Sequence, residues 1–166
     1  MIESILRNTV LFIVLVFLQV VLFDNIDYFG FISPYIYVIF ILSLPVGINK
    51  NWAMILSFIL GMLIDMFSNT MGIHAFACVF VAFFRNTWIN ALFSHNDFAL
   101  TSPSIKSFGF GNYIKYAIGI VFVHHALLFY LETLSVRFFW FTLLRVVSNT
   151  IVTLLLILCY DLARKK

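Results

Sequence analysis

The chain has 166 residues, of which 63% are apolar and only 10% are charged, and its formal net charge is +3. Soluble domains typically carry about 25% charged and about 45–50% apolar residues, so this composition excludes a soluble domain and indicates an integral membrane protein. The small positive balance is then a topology signal, and it gives no reason to expect a nucleic-acid partner.

Six apolar segments follow one another along the chain. Crossing the hydrocarbon layer takes about 20 helical residues, with a range of roughly 17–25. Asp24 and Asn25 follow the first segment where a small-residue cleavage site would stand in a signal peptide, so we expect that segment to be retained. The predicted fold class is an all-α membrane protein, a six-transmembrane-helix bundle forming one domain over 1–166. The predicted helices are 8–23, 31–48, 52–67, 73–93, 113–134 and 138–160.

The ends of the second and third segments carry specific signals. Pro34 is expected in the first turn of the second helix, where its missing N–H costs little, and Pro45 at the end of that helix. The third segment stops early, because Asp65 and the polar run 68–70 arrive before a full crossing. We therefore expect the next helix to begin below the membrane surface, or the bilayer to thin locally.

Lys and Arg in the short connections predict the orientation, because cytoplasmic loops are enriched in both. With the N-terminus inside, the outer segments hold only Arg137, and both termini face the cytoplasm. The longest connection, 94–112, is then cytoplasmic and either lies in the membrane interface or docks a partner. The inner segments hold Arg7, Lys50, Arg85, Lys106, Lys115, Arg164, Lys165 and Lys166.

Three predicted helices carry faces of polar or small residues at helical spacing, which we expect to point at one another. The face on the third helix comprises Ser57, Gly61, Asp65 and Ser68. Those on the fourth and sixth comprise Ala75, Cys78, Ala82 and Asn86, and Arg145, Ser148, Asn149 and Thr153.

A charge at a helix centre costs about 2.5–3.5 kcal/mol on insertion scales, and less toward the ends. We therefore expect Asp65 and Arg145 to face the interior and to satisfy each other directly or through water. Three interpretations of this pair remain open: it fixes helix packing, it belongs to a partner-binding surface, or it is part of a proton or substrate relay.

Other chemistry is sparse. His124 and His125 are adjacent on one helix and lie about 100° apart around its axis, so they cannot chelate one metal from one face. One of them is expected to face the interior or a water-filled space. Cys78 and Cys159 lie on different helices with no metal-binding spacing. No phosphate-binding loop, nucleophile elbow or zinc-protease motif occurs in the sequence. We therefore expect no enzyme activity, no catalytic residue, no cofactor and no metal.

One block resembles a known family. Gly61-x-x-x-Asp65 is followed by Ser68-x-Thr70-x-Gly72-Ile73-His74-Ala75, and the first helix has Arg7 before it and Gln19 near its end. This pattern, on a short chain with six apolar segments, resembles the bacterial MreD family, whose block is a glycine-rich run ending in Asp, a short turn and Gly-Leu-His-Ala. Ile73 stands at the usual Leu, and the turn lacks the Pro often found before the glycine.

The resemblance implies a non-enzymatic scaffold of the rod-shape complex (elongasome) in the bacterial inner membrane. Its implied partner is an MreC-like single-span protein. A RodA-like glycosyltransferase, the elongation transpeptidase, MreB filaments and membrane lipid are further implied contacts in lateral peptidoglycan synthesis and cell-shape maintenance. The family bundle is thought to resemble the substrate-binding subunits of energy-coupling-factor importers, which supplies the alternative of a small-molecule-binding subunit. The expected structural or partner-binding polar core comprises Asp65, Arg145, Ser57, Gly61, Gly72, His74 and Asn149.

Overall fold

A computed structural model describes residues 2–24, 31–93, 102–134 and 136–164, and every regular element in these ranges is helical. The first helix continues into a π-helical turn over Gln19–Phe23, and a 3₁₀ turn over Val136–Phe138 precedes the last helix. The α-helices are α1 (Ile2–Leu18), α2 (Val38–Ser43), α3 (Lys50–Ser68), α4 (Ile73–Leu92), α5 (Ile105–Phe108), α6 (Phe110–Thr133) and α7 (Phe139–Arg164).

Within the described residues, five helical segments are long and apolar enough to cross a membrane, which makes the chain a multi-pass membrane protein. They are α1 with its π-helical turn, α3, α4, α6 and α7. Each corresponds to one predicted span, and the fourth begins at Ile73 as predicted. The prediction is therefore confirmed for the all-helical class and for these five spans.

The second predicted span is wrong as a continuous helix. Within 31–48, which we call the central segment, only the six residues of α2 are α-helical. Pro34 precedes this helix by four residues instead of lying in its first turn. Because a proline disfavours the helical conformation of the preceding residue, Leu44 takes φ −59° and ψ 141° before Pro45, and α2 ends at Ser43.

The central segment nevertheless passes through the bundle. Asp24, just after the π-helical turn, accepts a hydrogen bond of 2.6 Å from the Ser68 hydroxyl at the end of α3, so α1 and α3 run in the same direction. The chain between them must therefore return from one end of the bundle to the other. We call the end with Asp24 and Ser68 the Asp65 end, and the opposite end the Lys50 end.

The middle of the central segment is enclosed by protein. All six residues of α2 are buried, as are Ile36, Tyr37 and Leu44. In lipid, backbone groups outside a helix are tolerated only where protein or water satisfies them. This burial explains why a broken element can lie between five long helices. The side chains around it must form hydrogen bonds with its unpaired backbone groups.

The second half of the predicted loop 94–112 packs on the bundle at the Lys50 end, while 94–101 lies outside the described residues. Ser104 caps α5 by accepting a bond from the Ser107 backbone N–H. The backbone N–H of Ile105 donates to Asp161 of α7 at 2.8 Å, and the rings of Phe93 and Phe108 have centroids 4.4 Å apart. Residues 102–112 are thus an ordered connection between helices.

Candidate functional site

The turn between α3 and α4 is built from two residues in the left-handed region. Asn69 ends α3 with φ 55°, and its backbone N–H donates to the Asp65 carbonyl. Gly72 precedes α4 with φ 82°, a conformation that L side chains rarely adopt, so glycine is the residue suited to this position. The predicted site residue Gly72 therefore sets the entry into α4.

Asp65 caps the next helix in the chain. Its two carboxylate oxygens accept hydrogen bonds from the backbone N–H groups of His74 (3.1 Å) and Ala75 (2.8 Å), and the Thr70 hydroxyl donates to the same carboxylate. The first N–H groups of a helix have no partner within it, and the helix dipole favours a negative charge there. Asp65 is 4% exposed, so its burial is compensated by the start of α4.

Gly61 brings the two helices of this hairpin into backbone contact. A Cβ added at Gly61 would lie 2.4 Å from Cα of Ala75 and 2.7 Å from the carbonyl oxygen of His74. Small residues at such a crossing permit the close packing that holds membrane helices together. Ala75, Cys78 and Ala82 of the predicted α4 face are all buried.

Asp65 and Arg145 were expected to satisfy each other directly or through water, and the structure shows no direct pair between them among the described residues. Arg145 lies 3.4 Å from the Glu132 carboxylate, the one ion pair among the described residues, and its guanidinium carbon is 4.4 Å from the centroid of the Phe129 ring. Both partners are on α6, which packs directly against α7. The backbone of α4 already occupies both carboxylate oxygens of Asp65, so this carboxylate needs no counter-charge.

At the Asp65 end, two amides satisfy the unpaired backbone of the central segment. Gln19 accepts from the Ile36 N–H (2.9 Å) and donates to the Pro34 carbonyl (3.2 Å). Asn149 of α7 accepts from the Ser33 N–H (2.8 Å) and donates to the Phe31 carbonyl (2.9 Å). Each amide replaces one donor and one acceptor that a continuous helix would have supplied, which accounts for the predicted site residue Asn149.

At the Lys50 end, Arg85 performs the same task for the carbonyls that follow α2. This fully buried guanidinium donates to the Leu44 carbonyl, to the Pro45 carbonyl (3.3 Å) and to the Tyr116 hydroxyl (2.8 Å). Tyr116 in turn donates to the Leu42 carbonyl at 3.2 Å. The last carbonyls of a helix lack partners and carry partial negative charge, so a cation is well placed here.

The sequence interpretation treated Arg85 only as an inner-end charge and assigned no role to Tyr37 or Tyr116. The available signal was an arginine thirteen residues into α4 combined with a proline-terminated segment elsewhere. Hydropathy alone does not join these two observations, because the residues concerned are 40 positions apart.

The hairpin and the central segment meet at Tyr37. Its hydroxyl lies 2.7 Å from Nδ1 of His74 and 3.1 Å from Nε2 of His124 on α6. His125 points the other way and has Nδ1 3.3 Å from the Thr150 hydroxyl of α7. Both adjacent histidines are fully buried, rather than one as expected, because α6 packs between α4 and α7.

Two further buried groups complete the site. Ser57 is buried on the predicted face of α3, and its hydroxyl has no hydrogen-bond partner among the residues that the structure describes. The Cys78 thiol lies 3.9 Å from Nε2 of His124, and both side chains are fully buried. Among the described residues, no three His, Cys, Asp or Glu side chains are grouped closely enough to hold a metal ion.

This arrangement defines a class: a multi-pass helical membrane protein whose intramembrane polar side chains stabilise its own backbone. No family model, curated protein or solved structure matches the chain.

Proposed function

We propose that the chain is a non-enzymatic scaffold subunit of a bacterial rod-shape complex, similar to MreD and binding an MreC-like single-span partner. Fold likeness alone does not establish a function, so the proposal depends on what the residues of the site do. We also propose that the chain crosses the membrane six times. In this proposal its bundle resembles the substrate-binding subunits of energy-coupling-factor importers.

The observation that carries the proposal is the hairpin of α3 and α4. The residues behind the MreD resemblance act there as one structural unit: Gly61 contacts the backbone of Ala75, Asp65 caps α4, and Gly72 sets the turn. His74 extends this unit to the central segment. A block whose members support one another's geometry is what a rigid membrane scaffold requires.

The surroundings of the thiol–imidazole pair of Cys78 and His124 support a non-enzymatic role. Cys78 and His124 are both fully buried, and neither lines the cavity at the Asp65 end. A nucleophile and base need a place for the reacting group within about 3 Å of both. Packing is therefore the role that fits this pair best.

The outer helix faces provide a surface for another membrane helix. Phe17 of α1, Phe67 of α3 and Trp140 of α7 are each more than 60% exposed, as suits contact with lipid or with another protein. Helix association in lipid depends on close packing and a few hydrogen bonds, since lipid is as apolar as the partner. Binding of a single-span helix would need no soluble domain on this chain.

The charge distribution supports an orientation with both termini in the cytoplasm of the bacterial inner membrane. Most of the positive charges lie toward the Lys50 end, near the starts of α1, α3 and α6, in α5, or at the end of α7. They are Arg7, Lys50, Lys115, Lys106 and Arg164. Arg137 is at the opposite end, beside the start of α7. A C-terminal fusion to a reporter that is active only in the cytoplasm is expected to be active.

The deciding experiment is photo-crosslinking in the native membrane. A crosslinking amino acid is placed singly at the exposed positions Phe17, Phe67 and Trp140, with the buried position Leu60 as the matched control. At least one exposed position is expected to give a covalent adduct with an MreC-like protein, and Leu60 none. Absence of that protein from all adducts, and from co-purified material, would count against the scaffold function.

A second candidate, a small-molecule-binding subunit of an energy-coupling-factor-type importer, is favoured by one observation. A cavity of about 350 Å³ opens at the Asp65 end and is lined by polar and aromatic side chains. Uptake of a labelled small molecule that depends on this chain, with no effect of depletion on cell shape, would favour this candidate. Rounded cells on depletion would favour the scaffold.

A further inference from the structure

The cavity at the Asp65 end is bounded by four parts of the molecule: the end of the first transmembrane segment, the start of the central segment, the α3–α4 turn and α6. Its volume of about 350 Å³ is near the lower limit of ligand pockets, which span about 300–1,000 Å³. Its polar and aromatic lining includes Asp24, Tyr35, Ser68, Thr70, His74 and Glu132.

Asp24 is held in this wall by neutral groups. Its carboxylate accepts a hydrogen bond from the Gln19 amide (2.8 Å) and one from the Ser68 hydroxyl (2.6 Å). Within the described part of the chain, no lysine or arginine lies within ion-pair distance of it. Neutral donors orient a carboxylate without cancelling its charge, so Asp24 presents a positioned negative charge to the cavity.

Glu132 supplies a second carboxylate on the α6 side of the cavity. Its charge is compensated by Arg145 at 3.4 Å, and its side chain is 47% exposed. Arg145 is not among the residues that line the cavity. The described residues of the lining therefore contain two carboxylates and no lysine or arginine.

Aromatic rings form another part of the lining. Tyr35 and His74 both border the cavity, and their ring centroids are 5.6 Å apart. The face of an aromatic ring attracts a cation, and the attraction is stronger where water is excluded. A small cavity that is lined both by a carboxylate and by aromatic rings is complementary to an ammonium group.

We propose that this cavity binds a small organic cation carrying an ammonium group, with Asp24 as its counter-ion and Tyr35 as its aromatic contact. The ammonium group could belong to a soluble amine or to the headgroup of phosphatidylethanolamine, which share this chemistry. The proposal concerns binding alone, so it does not depend on the scaffold function.

The test uses the full chain in detergent, with ethanolamine hydrochloride and choline chloride as probes and sodium chloride at equal ionic strength as the reference. A ligand that binds the folded state raises the unfolding temperature in proportion to its saturation. At least one amine is expected to give a saturating rise. No saturating rise with either amine, or a larger rise with sodium acetate, would overturn the proposal.

Variants locate the site. Loss of a charged hydrogen-bond partner is worth about tenfold or more in affinity, so Asp24→Asn is expected to raise the apparent Kd for the active amine by at least about tenfold. Asp161→Asn, which removes a carboxylate at the Lys50 end, is the matched control and is expected to keep the wild-type Kd. An unchanged Kd in Asp24→Asn would contradict the assignment.

If Asp24→Asn does not fold, Glu132→Gln gives an independent measurement. This substitution removes the half-exposed carboxylate of the α6 wall and leaves the Arg145 charge uncompensated. The Kd for the amine is again expected to rise by about tenfold, and a Kd equal to that of the wild type would overturn the proposal.

The source of the ammonium group is then decided in lipid nanodiscs. Retention of phosphatidylethanolamine over phosphatidylglycerol, lost in Asp24→Asn and displaced by free ethanolamine, supports a lipid headgroup. Amine-dependent stabilisation without such retention supports a soluble amine.

Discussion

The Tyr37 hydroxyl lies 2.7 Å from Nδ1 of His74, and this contact joins the central segment to the α3–α4 hairpin. Tyr37 directly precedes α2, and His74 is in the first turn of α4. The same hydroxyl approaches His124 of α6. Three elements that are far apart in the sequence therefore meet at one buried oxygen atom, and the hairpin holds the broken segment as well as itself.

Gly61→Ala is expected to lower the free energy of unfolding by about 1–3 kcal/mol, the usual cost of overpacking. The added methyl would meet backbone atoms of Ala75, which cannot rotate away. Labelling of buried Cys78 by a thiol-reactive dye during heating, in a Cys159→Ser background, reports unfolding. Gly111→Ala is the matched control, since no described atom outside its own stretch of helix lies within 4 Å of its added Cβ. Equal melting of the two variants would contradict the close approach of α3 to α4.

Asp65→Ala is expected to destabilise the protein by about 1–3 kcal/mol, because two backbone N–H groups of α4 lose their acceptor. Asp65→Asn should cost less, since its carbonyl oxygen can still accept one of these bonds. Hydrogen exchange over 72–78 is expected to accelerate in Asp65→Ala. Met66→Ala, at a neighbouring side chain that is 73% exposed, serves as the control. If Met66→Ala accelerated exchange there equally, Asp65 would have no special role as a cap.

A pair of double-mutant cycles tests the partners of Arg145. Asp65→Asn and Arg145→Gln should have additive effects on stability, because the two side chains have different partners. Glu132→Gln and Arg145→Gln should couple weakly, by about 0.2–1 kcal/mol, as expected for a partly exposed ion pair. Coupling in the first cycle and additivity in the second would instead support a contact between Asp65 and Arg145.

Arg85→Met is expected to loosen the end of α2 by leaving the Leu44 and Pro45 carbonyls without their donor. An unsatisfied buried acceptor costs about 1–3 kcal/mol, and hydrogen exchange over 40–46 should accelerate. Arg85→Lys should recover only part of this stability, because an ammonium lacks the planar fork of donors. Lys115→Met removes an exposed charge from α6 and is expected to change little. Wild-type exchange in Arg85→Met would rule out Arg85 as the cap of α2.

The hairpin was predictable because its signals are local. Asp65, the polar turn and Gly72 lie within eight residues, and the start of α4 at Ile73 follows from them. Helical spacing predicted that Ser57 and Gly61 share a face with Asp65, and the cost of exposing that charge to lipid predicted that the face points inward. The capping of α4 by Asp65 was not predicted, since a carboxylate inside a membrane span suggests a counter-charge before it suggests backbone donors.

The partners of the long-range contacts were not predictable from local patterns. Arg145 pairs with Glu132 of the preceding helix because the backbone of α4 already satisfies Asp65, and that occupancy is visible only once the turn is folded. Asn149 reaches Ser33 across 116 residues of chain, and Arg85 reaches Pro45 across 40. Such pairs depend on which helices pack together.

The sequence by itself determined the membrane class, five of the spans and the hairpin, because hydropathy and turn chemistry act over short distances. Only the tertiary structure decided that 31–48 is a broken segment inside the bundle, since its hydropathy suits a helix equally well. Backbone groups outside a helix persist in a membrane only when other side chains satisfy them. Gln19, Asn149, Arg85 and Tyr116 do so here, and they reach the segment only once the helices have packed around it.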